Sequence, residues 1–394
     1  MIRADLVIIG AGCAGLALAA RLAEAGDAAP RTVLVDQRDT YSNDRTWCFW
    51  APMSSPWARL ARAHWPVWRI GCREGSSVSR LLDGYPYHCL AASDYYADRR
   101  RRIEAHPAMR LELSTPVETV EVDDFGWRIE TPRGTIRAGQ VVDTRPDFYA
   151  TPLLWQQFHG MEVRTSRPCF DPSAVELMTD MDSDDAGFVF TYLLPFAEDH
   201  ALIEVTRFVP EPLPAQRLES DCRRVLAERT DDSYFRQIRQ EQACLPMGSW
   251  SAGKPDGSGI VRAGIGGGAL RSASGYGFLR IQSWADRCAR HFLESGRAIS
   301  HPPEPAWRRA MDARFLALIR RRPEWGPTLF EAMAQGLSAG DFVRFLSDEG
   351  GFKTAAKMVL ALPKGPFLHQ IFRPGGKSIR ENSGSYRRSG HARF

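Results

Sequence analysis

Hydrophobic residues at the N-terminus are grouped in an order that predicts a strand, a turn, a helix and a second strand. Residues 6–9 form a short apolar run, which is typical of a strand that is buried on both faces. A glycine-rich turn follows at residues 10–15, and residues 16–25, rich in Ala and Leu, predict a helix. Residues 32–36 form the second strand and end on an acid. The pattern therefore predicts a compact βαβ unit.

Further along the chain, apolar and polar residues alternate with the period of a half-buried strand. Between residues 108 and 142 this alternation predicts an antiparallel meander, with strands at 109–113, 117–122, 127–130 and 135–137, followed by a strand at 140–143. Additional strands are predicted at 187–194 and 201–208. A second glycine-rich stretch, 264–277, leads into a predicted helix at 278–293. From residue 301 to about residue 361 the period is near 3.6, which predicts helices.

The glycine turn has the GxGxxG spacing of dinucleotide-binding folds. Gly10 permits the tight turn, Gly12 lets the backbone approach a pyrophosphate, and Gly15 allows the helix to pack closely on the strand. The pyrophosphate then meets the free N–H groups at the helix N-terminus. Asp36 is suited to accept hydrogen bonds from the ribose hydroxyls, and an acid there disfavours a 2′-phosphate.

The glycines alone do not separate FAD from NAD. The motif lies close to the N-terminus and is followed by interleaved antiparallel segments, which favours FAD. The second glycine-rich stretch, around Gly264, also favours FAD, because this long cofactor needs protein contacts at both ends.

These patterns predict an α/β protein with a Rossmann-like FAD-binding domain, an interleaved antiparallel-sheet substrate domain and a C-terminal helical region. The FAD-binding domain is assigned to residues 1–60, 101–160 and 255–300, and the substrate-binding sheet to residues 61–100 and 161–254. The helical region is assigned to residues 301–372. Residues 373–394 are polar and basic, and we expect them to be a disordered tail.

Composition narrows the class of function. The 394 residues are 44% hydrophobic and 25% charged, which is ordinary for a folded protein, and the net charge of +4 does not indicate nucleic-acid binding. The eight cysteines and nine histidines are scattered without the spacing of metal ligands, so we expect reduced thiols and no metal. Residues 6–20 carry no charge, but this run is shorter than a membrane span and contains the glycine motif, so we expect no targeting segment here.

Several later motifs, taken together with the βαβ unit, make the sequence more specific. It resembles the flavin-dependent lycopene cyclases of the β-cyclase type from residue 5 to about residue 350. The segments that carry the resemblance are 43–50, 201–208, 245–248, 263–268, 274–277 and 341–348.

The resemblance implies roles for individual residues. The family's essential acid falls on Glu204, whereas Val205 replaces the second acid of its motif, which predicts a single carboxylate at this site. The family's late Gly-Tyr motif, which lies near the flavin, falls on Gly275 and Tyr276, and the proline that usually precedes it is missing. Pro-Met-Gly of the family matches residues 246–248.

The implied reaction delivers a proton to a carbon–carbon double bond, stabilises a carbocation, and then removes a proton. A carboxyl beside apolar substrate suits the first step, because desolvation raises its pKa. Reduced FAD, with NAD(P)H as the reductant, would stabilise the cation without net redox change. Aromatic rings can do so as well, and Trp47, Phe49 and Trp50 are the candidates for contact with substrate.

The implied substrate, lycopene or a related acyclic carotenoid, dissolves only in membranes. We therefore expect a cytoplasmic protein associated peripherally with the inner face of the membrane. Residues 352–372 mix apolar and basic side chains, which fits an interfacial segment or equally a core helix with solvated lysines. From Lys353 onward the chain contains nine Lys or Arg and only one acid. This excess of positive charge fits either a solvated tail or attraction to anionic lipid.

Two other functions are compatible with the N-terminal unit. One is an FAD-dependent monooxygenase or halogenase, although the Gly-Asp pair that those proteins usually keep near the flavin is missing from residues 264–267. The other is a flavoprotein that binds a polyene without catalysis.

Overall fold

The computed structural model describes residues 2–73, 77–124, 126–146, 152–231, 234–248 and 259–365. The described chain forms two compact units. The first comprises the described residues up to Val67 together with Leu81–Leu153 and Pro246–Ala313. The second comprises Trp68–Arg80, Leu154–Leu245 and the described residues from Arg314 onward.

The described strands, in chain order, are β1 (Ile2–Ile9), β2 (Thr32–Val35), β3 (Thr46–Trp50), β4 (Ala63–Trp65), β5 (Val67–Gly71), β6 (Ser77–Leu81), β7 (Tyr87–Ala91), β8 (Met109–Glu112), β9 (Thr119–Asp123), β10 (Gly126–Thr131), β11 (Gly134–Asp143), β12 (Leu154–Thr165), β13 (Ala174–Asp184), β14 (Gly187–Ala197), β15 (His200–Val209), β16 (Phe235–Met247) and β17 (Val261–Arg262). The described α-helices are α1 (Cys13–Ala23), α2 (Ala92–Glu104), α3 (Ala215–Thr230), α4 (Phe278–Ser295), α5 (Ala306–Arg321), α6 (Gly326–Gly336), α7 (Ala339–Leu346) and α8 (Phe352–Ala361).

The main sheet of the first unit has the strand order β8-β2-β1-β11-β10-β9, with β17 beside β11. Strand β1 lies in the middle and is parallel to both β2 and β11. Leu6 and Ile8 pack into the core under α1, and Val7 and Ile9 pack into a second core on the opposite face. Burial on both faces explains why this run carries no polar side chain, and the predicted βαβ unit is confirmed.

The predicted meander is confirmed only in part. Strands β9, β10 and β11 are antiparallel, as expected. Strand β8 instead pairs in parallel with β2, so the prediction for residues 109–113 is wrong. Helix α2 precedes β8 and supplies the crossover that a parallel strand needs. The strands predicted at 135–137 and 140–143 form one strand, β11, that joins the antiparallel and parallel parts of the sheet.

Three helices pack on one face of this sheet. Helix α1 contacts both α2 and α4, and their small and apolar residues form the core with Leu6 and Ile8. Helix α4 extends the helix predicted at 278–293 by two residues. A separate three-stranded sheet, in the order β3-β7-β4, holds Trp50 opposite Tyr87.

The second unit is built on a seven-stranded sheet in the order β16-β12-β15-β14-β13-β5-β6. Strands β14 and β15 contain the two strands predicted at 187–194 and 201–208. Ile203 and Val205 face helix α3 and pack with Val225 and Leu226. Because successive side chains of a strand point to opposite faces, Glu204 lies on the face away from α3.

Helices α5 to α8 confirm the prediction, made from the period near 3.6, that the chain is helical after residue 301. Among the helices of the described ranges, none is long and apolar enough to cross a membrane. Residues 366–372 of the predicted interfacial segment and the tail 373–394 lie outside the described residues.

The compact units divide the chain differently from the predicted domains. Residues 81–100, expected in the substrate-binding sheet, belong to the first unit, because β7 pairs with β3 and α2 packs on α1. Residues 154–160, expected in the FAD-binding domain, belong to the second unit, because they are part of β12 and pair with β15. The cofactor and substrate roles assigned to these domains stay predictions.

Candidate active site

The first glycine motif lies between β1 and α1, where two of its glycines are sterically required. Gly10 has a φ of +94°, and a Cβ there would lie 2.6 Å from Oγ1 of Thr144. A Cβ on Gly15 would lie 1.9 Å from the carbonyl oxygen of Gly10, so any side chain would force the helix away from the strand. At Gly12, by contrast, a Cβ would meet nothing within 4 Å among the described residues. This open space at the start of α1 could hold a phosphate.

Asp36 lies beside this glycine turn, directly after β2. Its Oδ2 accepts a hydrogen bond of 2.6 Å from the backbone N–H of Ala11, and its Oδ1 accepts one of 2.9 Å from the N–H of Arg38. The carboxylate is therefore fixed at the carboxyl end of the second parallel strand. In dinucleotide-binding folds, an acid at this position binds the ribose.

The second glycine stretch meets the first. A Cβ on Gly264 would lie 3.1 Å from Cβ of Ala14, so these two backbones approach closely in the first unit. The N–H of Gly264 donates a hydrogen bond of 3.1 Å to Nε2 of His301. Burial, together with the charges of nearby arginines, lowers the pKa of His301 to about 3, so its neutral ring can accept this bond. The sequence pattern did not identify His301 as part of the site.

Gly275 and Tyr276 form a tight loop around the buried residue Arg271. The N–H of Gly275 donates a hydrogen bond of 2.9 Å to the Arg271 carbonyl, and the N–H of Arg271 donates one of 2.9 Å to the Tyr276 carbonyl. The hydroxyl of Tyr276 lies 3.3 Å from that of Tyr87, and its ring centroid lies 6.1 Å from that of Trp50. The structure therefore brings Tyr276 and Trp50 together in the first unit.

The three aromatic residues proposed to contact substrate all belong to the packed aromatic core of this unit. Trp47 and Phe49 stack on Phe278 with ring centroids 5.5 and 5.1 Å apart. The exposed fractions of Phe49 and Trp50 are only 3% and 1%, so both side chains serve the core. Contact of Trp47, Phe49 and Trp50 with substrate stays a prediction.

Glu204 lies on β15 in the second unit and is directly opposite Gly160 on β12. The pKa of Glu204 is raised to about 8, mainly by burial and in addition by the negative charge of Glu241. A 3.1 Å hydrogen bond from Oγ1 of Thr206 and the charge of Arg239 act in the opposite direction. A carboxyl in this setting holds its proton near neutral pH, as a general acid must.

The prediction of a single carboxylate is wrong. Strand β16 pairs with β12, and a Cβ placed on Gly160 would lie 3.2 Å from Cγ of Glu241 and 3.6 Å from Cβ of Glu204. Gly160 thus leaves a gap on the sheet that Glu204 and Glu241 approach from either side. The second acid comes from a strand almost forty residues later and not from the residue after Glu204.

A network of charged side chains continues from Glu241 across the same face. Arg239 donates hydrogen bonds of 2.5 Å to Oε2 of Glu241 and 2.6 Å to Oε2 of Glu162. Nε2 of His200 lies 2.9 Å from the other oxygen of Glu162. Both Glu162 and Glu241 are buried, with exposed fractions of 3% and 5%. One guanidinium therefore links the two buried carboxylates.

Aromatic side chains line the Glu204 face on the neighbouring strand. Tyr192 on β14 is directly opposite Glu204, and Phe190 is opposite Thr206. The ring of Phe190 makes edge contacts with those of Tyr192 and Phe208, with centroids 5.4 Å apart in both pairs. A protonated carboxyl therefore lies beside electron-rich rings, which can stabilise a cation through their faces.

The sequence pattern missed Glu241, Arg239 and Gly160, because neither β12 nor β16 was recognised in full. An isolated glycine within a strand indicates a close approach of another group, and Gly160 could have been identified on that basis. The described ranges contain no group of three or more His, Cys, Asp or Glu side chains that could hold a metal ion.

The fold as a whole resembles those of several solved structures. A geranylgeranyl bacteriochlorophyll reductase-like protein from Thermoplasma acidophilum superposes with a TM-score of 0.63 at 10% identity, covering 94% of this chain and 99% of that one. A p-nitrophenol 4-monooxygenase from Pseudomonas putida gives a TM-score of 0.57 at 14% identity, covering 93% and 99%. These likenesses define the class of fold, a mixed α/β architecture of the Rossmann type.

Comparison of sequences identifies the family. The model of the family described as "Lycopene cyclase protein" matches residues 5–370. A lycopene beta-cyclase from Paracoccus sp. is 30% identical, covering 80% of this chain and 82% of that protein. A lycopene beta-cyclase from Pseudescherichia vulneris is 25% identical, covering 72% and 73%. The chain belongs to the lycopene cyclase family, a family of enzymes, and the resemblance found in the sequence is confirmed.

Proposed function

We propose that this protein is a lycopene β-cyclase, an isomerase that converts the acyclic ψ end groups of lycopene into β-ionone rings, through γ-carotene to β-carotene. The names of both relatives support this substrate and product. The observation that carries the proposal is Glu204, whose pKa is raised to about 8 and which lies beside Tyr192 and Phe190. A carboxyl that stays protonated near neutral pH can deliver its proton to a carbon–carbon double bond.

The proposed reaction conserves protons and electrons. Glu204 gives its proton to the terminal double bond of a ψ end group, and the resulting cation is attacked by a second double bond to close the ring. The cyclic cation then loses a proton from a ring carbon to the carboxylate left on Glu204, which forms the new double bond and restores the acid. One proton enters the substrate and one leaves it, so the product is an isomer of the substrate.

Aromatic rings on the Glu204 face are suited to stabilise the positive charge. Phe190 contacts both Tyr192 and Phe208 edge to face, so the orientations of these rings are fixed before substrate binds. Cation–π attraction amounts to about 2 kcal/mol or more when both groups are desolvated. Contact of substrate with Trp47, Phe49 and Trp50 of the first unit is a separate part of the proposal.

The first glycine motif fits FAD. The open space at Gly12 and the uncharged first turn of α1 suit its pyrophosphate, and the fixed carboxylate of Asp36 suits its ribose. Gly264 packs against the start of α1, and the loop at Gly275 and Tyr276 would complete the site. When bound and reduced, with NAD(P)H as the reductant, FAD would supply negative charge that stabilises a carbocation.

Helix α8 supports docking on a membrane surface. Phe352, Val359 and Leu360 are exposed at 69%, 48% and 73% and share one side of the helix. Lys353 and Lys364 are exposed near the two ends of this helix. Insertion of the apolar side chains and attraction of lysines to anionic lipid act together at such a surface. We therefore propose a cytoplasmic protein associated peripherally with the inner face of the membrane.

Expression in a lycopene-accumulating bacterial host, with the pigments separated by chromatography, tests the proposal. We expect lycopene to be replaced by β-carotene, and to remain unchanged when Glu204→Gln is expressed at equal FAD content. Glu176→Gln is a matched control, since Glu176 pairs with Arg229 in the same unit and should keep full activity when replaced.

The same experiment separates the competing functions. Unchanged lycopene in cells that contain folded, FAD-loaded wild-type protein would overturn the cyclase proposal. Oxygen-dependent hydroxylation or chlorination would identify a monooxygenase or halogenase, and pigment that copurifies without turnover would identify a polyene-binding flavoprotein. Full activity of Glu204→Gln would remove Glu204 from the mechanism.

A further inference from the structure

The sheet of the second unit places two glutamate side chains around one glycine, where the side chain of Leu202 also approaches. Glu204 on β15 and Glu241 on β16 belong to strands that flank β12. The β12 residue between them is Gly160, and a Cβ there would lie 3.2 Å from Cγ of Glu241. Any other residue at this position would add a side chain that crowds Glu241, Leu202 and Glu204.

The charge balance around this pair favours one proton on it. Arg239 forms ion pairs with both Glu162 and Glu241, so two carboxylates already lie together in this cluster before Glu204 is counted. If Glu204 were ionised as well, a third negative charge would be buried in the same cluster. Two neighbouring carboxylates in such a place share one proton, because both cannot be ionised without strong repulsion.

The arrangement also determines which of the two acids carries the proton. Glu241 accepts a hydrogen bond of 2.5 Å from Arg239, whereas Glu204 accepts one of 3.1 Å from the neutral hydroxyl of Thr206. A guanidinium stabilises an ionised carboxylate far more than a hydroxyl does. The negative charge therefore stays on Glu241, and the proton stays on Glu204.

We propose that Glu241 is a positioning residue for the cyclisation, whose negative charge adds to burial in keeping Glu204 protonated and whose closeness to Glu204 depends on Gly160. The proposal rests on the proposed function, in which Glu204 is the acid that gives its proton to the double bond. Glu241 itself does not have to touch the substrate.

Other groups near Glu204 do not account for this effect. On its own strand it meets the neutral hydroxyl of Thr206, and on β14 it faces Tyr192. On the α3 side the thiol of Cys222 donates a hydrogen bond to the Ile203 carbonyl, and burial raises the pKa of this thiol to about 12. Arg239 acts against protonation of Glu204, so Glu241 is the charged group that favours it.

Glu241→Gln tests the proposal, because it removes the charge but retains the size of the side chain. We expect the upper pH limit of cyclase activity to move down by about one unit, since the loss of one like charge lowers the pKa of Glu204. At pH values above that limit, kcat falls about tenfold, whereas KM changes little. Glu241→Asp should restore most of the wild-type pH profile, and Glu176→Gln should leave the profile unchanged.

Gly160→Ala provides an independent test that alters no charged group. The added methyl group would press on Glu241 at 3.2 Å and on Leu202 at 3.3 Å. If Glu241 moves away from Glu204, we expect the pH limit to move in the same direction as in Glu241→Gln, but by less. A pH profile identical to that of the wild type in folded Glu241→Gln, or a shift to higher pH in either variant, would overturn the proposal.

A measurement without turnover separates this proposal from the proposed function. The infrared absorption of protonated carboxyl groups, compared between wild type and Glu204→Gln at about pH 7, isolates the band of Glu204. We expect Glu241→Gln to lose this band at a pH about one unit lower than wild type does. An unchanged titration, in a protein that cyclises lycopene, refutes the role of Glu241 and leaves the function standing. A shifted titration in a protein without cyclase activity would instead support the role of Glu241 and refute the proposed function.

Discussion

The backbone N–H of Gly264 donates a hydrogen bond to Nε2 of His301, and this bond links the second glycine stretch to the segment that follows α4. The ring of His301 lies beside that of Trp284, with centroids 5.0 Å apart. Because Gly264 also packs against Ala14, the position of the loop near the first glycine motif depends on a histidine that remains neutral.

Replacement of His301 should therefore disturb the loop. In His301→Leu the N–H of Gly264 loses its acceptor, which costs about 1–3 kcal/mol for a buried polar group. We expect a lower Tm and weaker FAD binding, measured by thermal unfolding and by flavin fluorescence. His301→Gln, whose amide oxygen can accept the bond, should recover part of both. Equal FAD affinity in His301→Leu and wild type would contradict this role.

The low pKa of His301 also predicts a dependence of stability on pH. The unfolded chain binds a proton at this residue below its ordinary pKa of 6.5, whereas the folded protein resists protonation down to about 3. The stabilisation is therefore fully present above pH 6.5 and is lost as the pH falls toward 3. Chemical unfolding across this range should show a smaller decline for His301→Gln, and a parallel decline in both proteins would disprove the assignment.

The raised pKa of Glu204 predicts that stability depends on pH with the opposite sign. Its folded pKa of about 8 is above the ordinary value of 4.5, so the unfolded chain releases this proton at lower pH than the folded protein does. The contribution of Glu204 to stability is present below pH 4.5 and is lost as the pH rises to about 8. Glu204→Gln, which cannot ionise, should gain stability relative to wild type across this interval. A difference that stays constant from pH 5 to pH 9 would rule out a raised pKa.

Substitution of the glycines in the first motif should affect FAD binding at one position and folding stability at another. Gly12→Ala adds a methyl group to open space, so the protein should fold with an unchanged Tm without FAD, but its affinity for FAD should fall at least tenfold. Gly15→Ala instead places a methyl group against the carbonyl of Gly10, so the Tm itself should fall. Calorimetry combined with FAD titration distinguishes the two. Normal FAD binding by Gly12→Ala would exclude a pyrophosphate from this position.

Membrane docking through α8 can be tested by removal of its exposed apolar side chains. The double variant Phe352→Ser, Leu360→Ser should bind vesicles that contain anionic lipid at least tenfold more weakly, since each side chain loses about 1.5–3 kcal/mol of burial. Val122→Ser is the control, because Val122 is also exposed, at 63%, but lies on β9 of the first unit. Equal loss of vesicle binding in the control and the double variant would show that α8 is not the docking element.

The βαβ unit could be predicted because each part of it is encoded locally. The apolar run of β1, the glycine spacing and the acid after β2 lie within residues 6–36, and neighbouring residues suffice to specify a strand, a turn and a helix start. The resemblance to lycopene cyclases, carried by short motifs in the same order, identified the family for the same reason. Strand alternation likewise placed Glu204 on the face opposite Ile203 and Val205.

The partners of these residues were decided only by the tertiary structure. Strand β8 has the alternation of a meander strand, and only its pairing with β2 made it parallel. Glu241 and Glu204 belong to strands that are not neighbours, and the glycine that brings them together lies on a third strand. Alternation along a strand determines the face of a side chain, but the hydrogen-bonded pairing of distant strands determines what lies beside it. The sequence therefore identified Glu204 as the candidate acid, and only the sheet showed that Glu241, which we propose helps to hold its proton, lies near it.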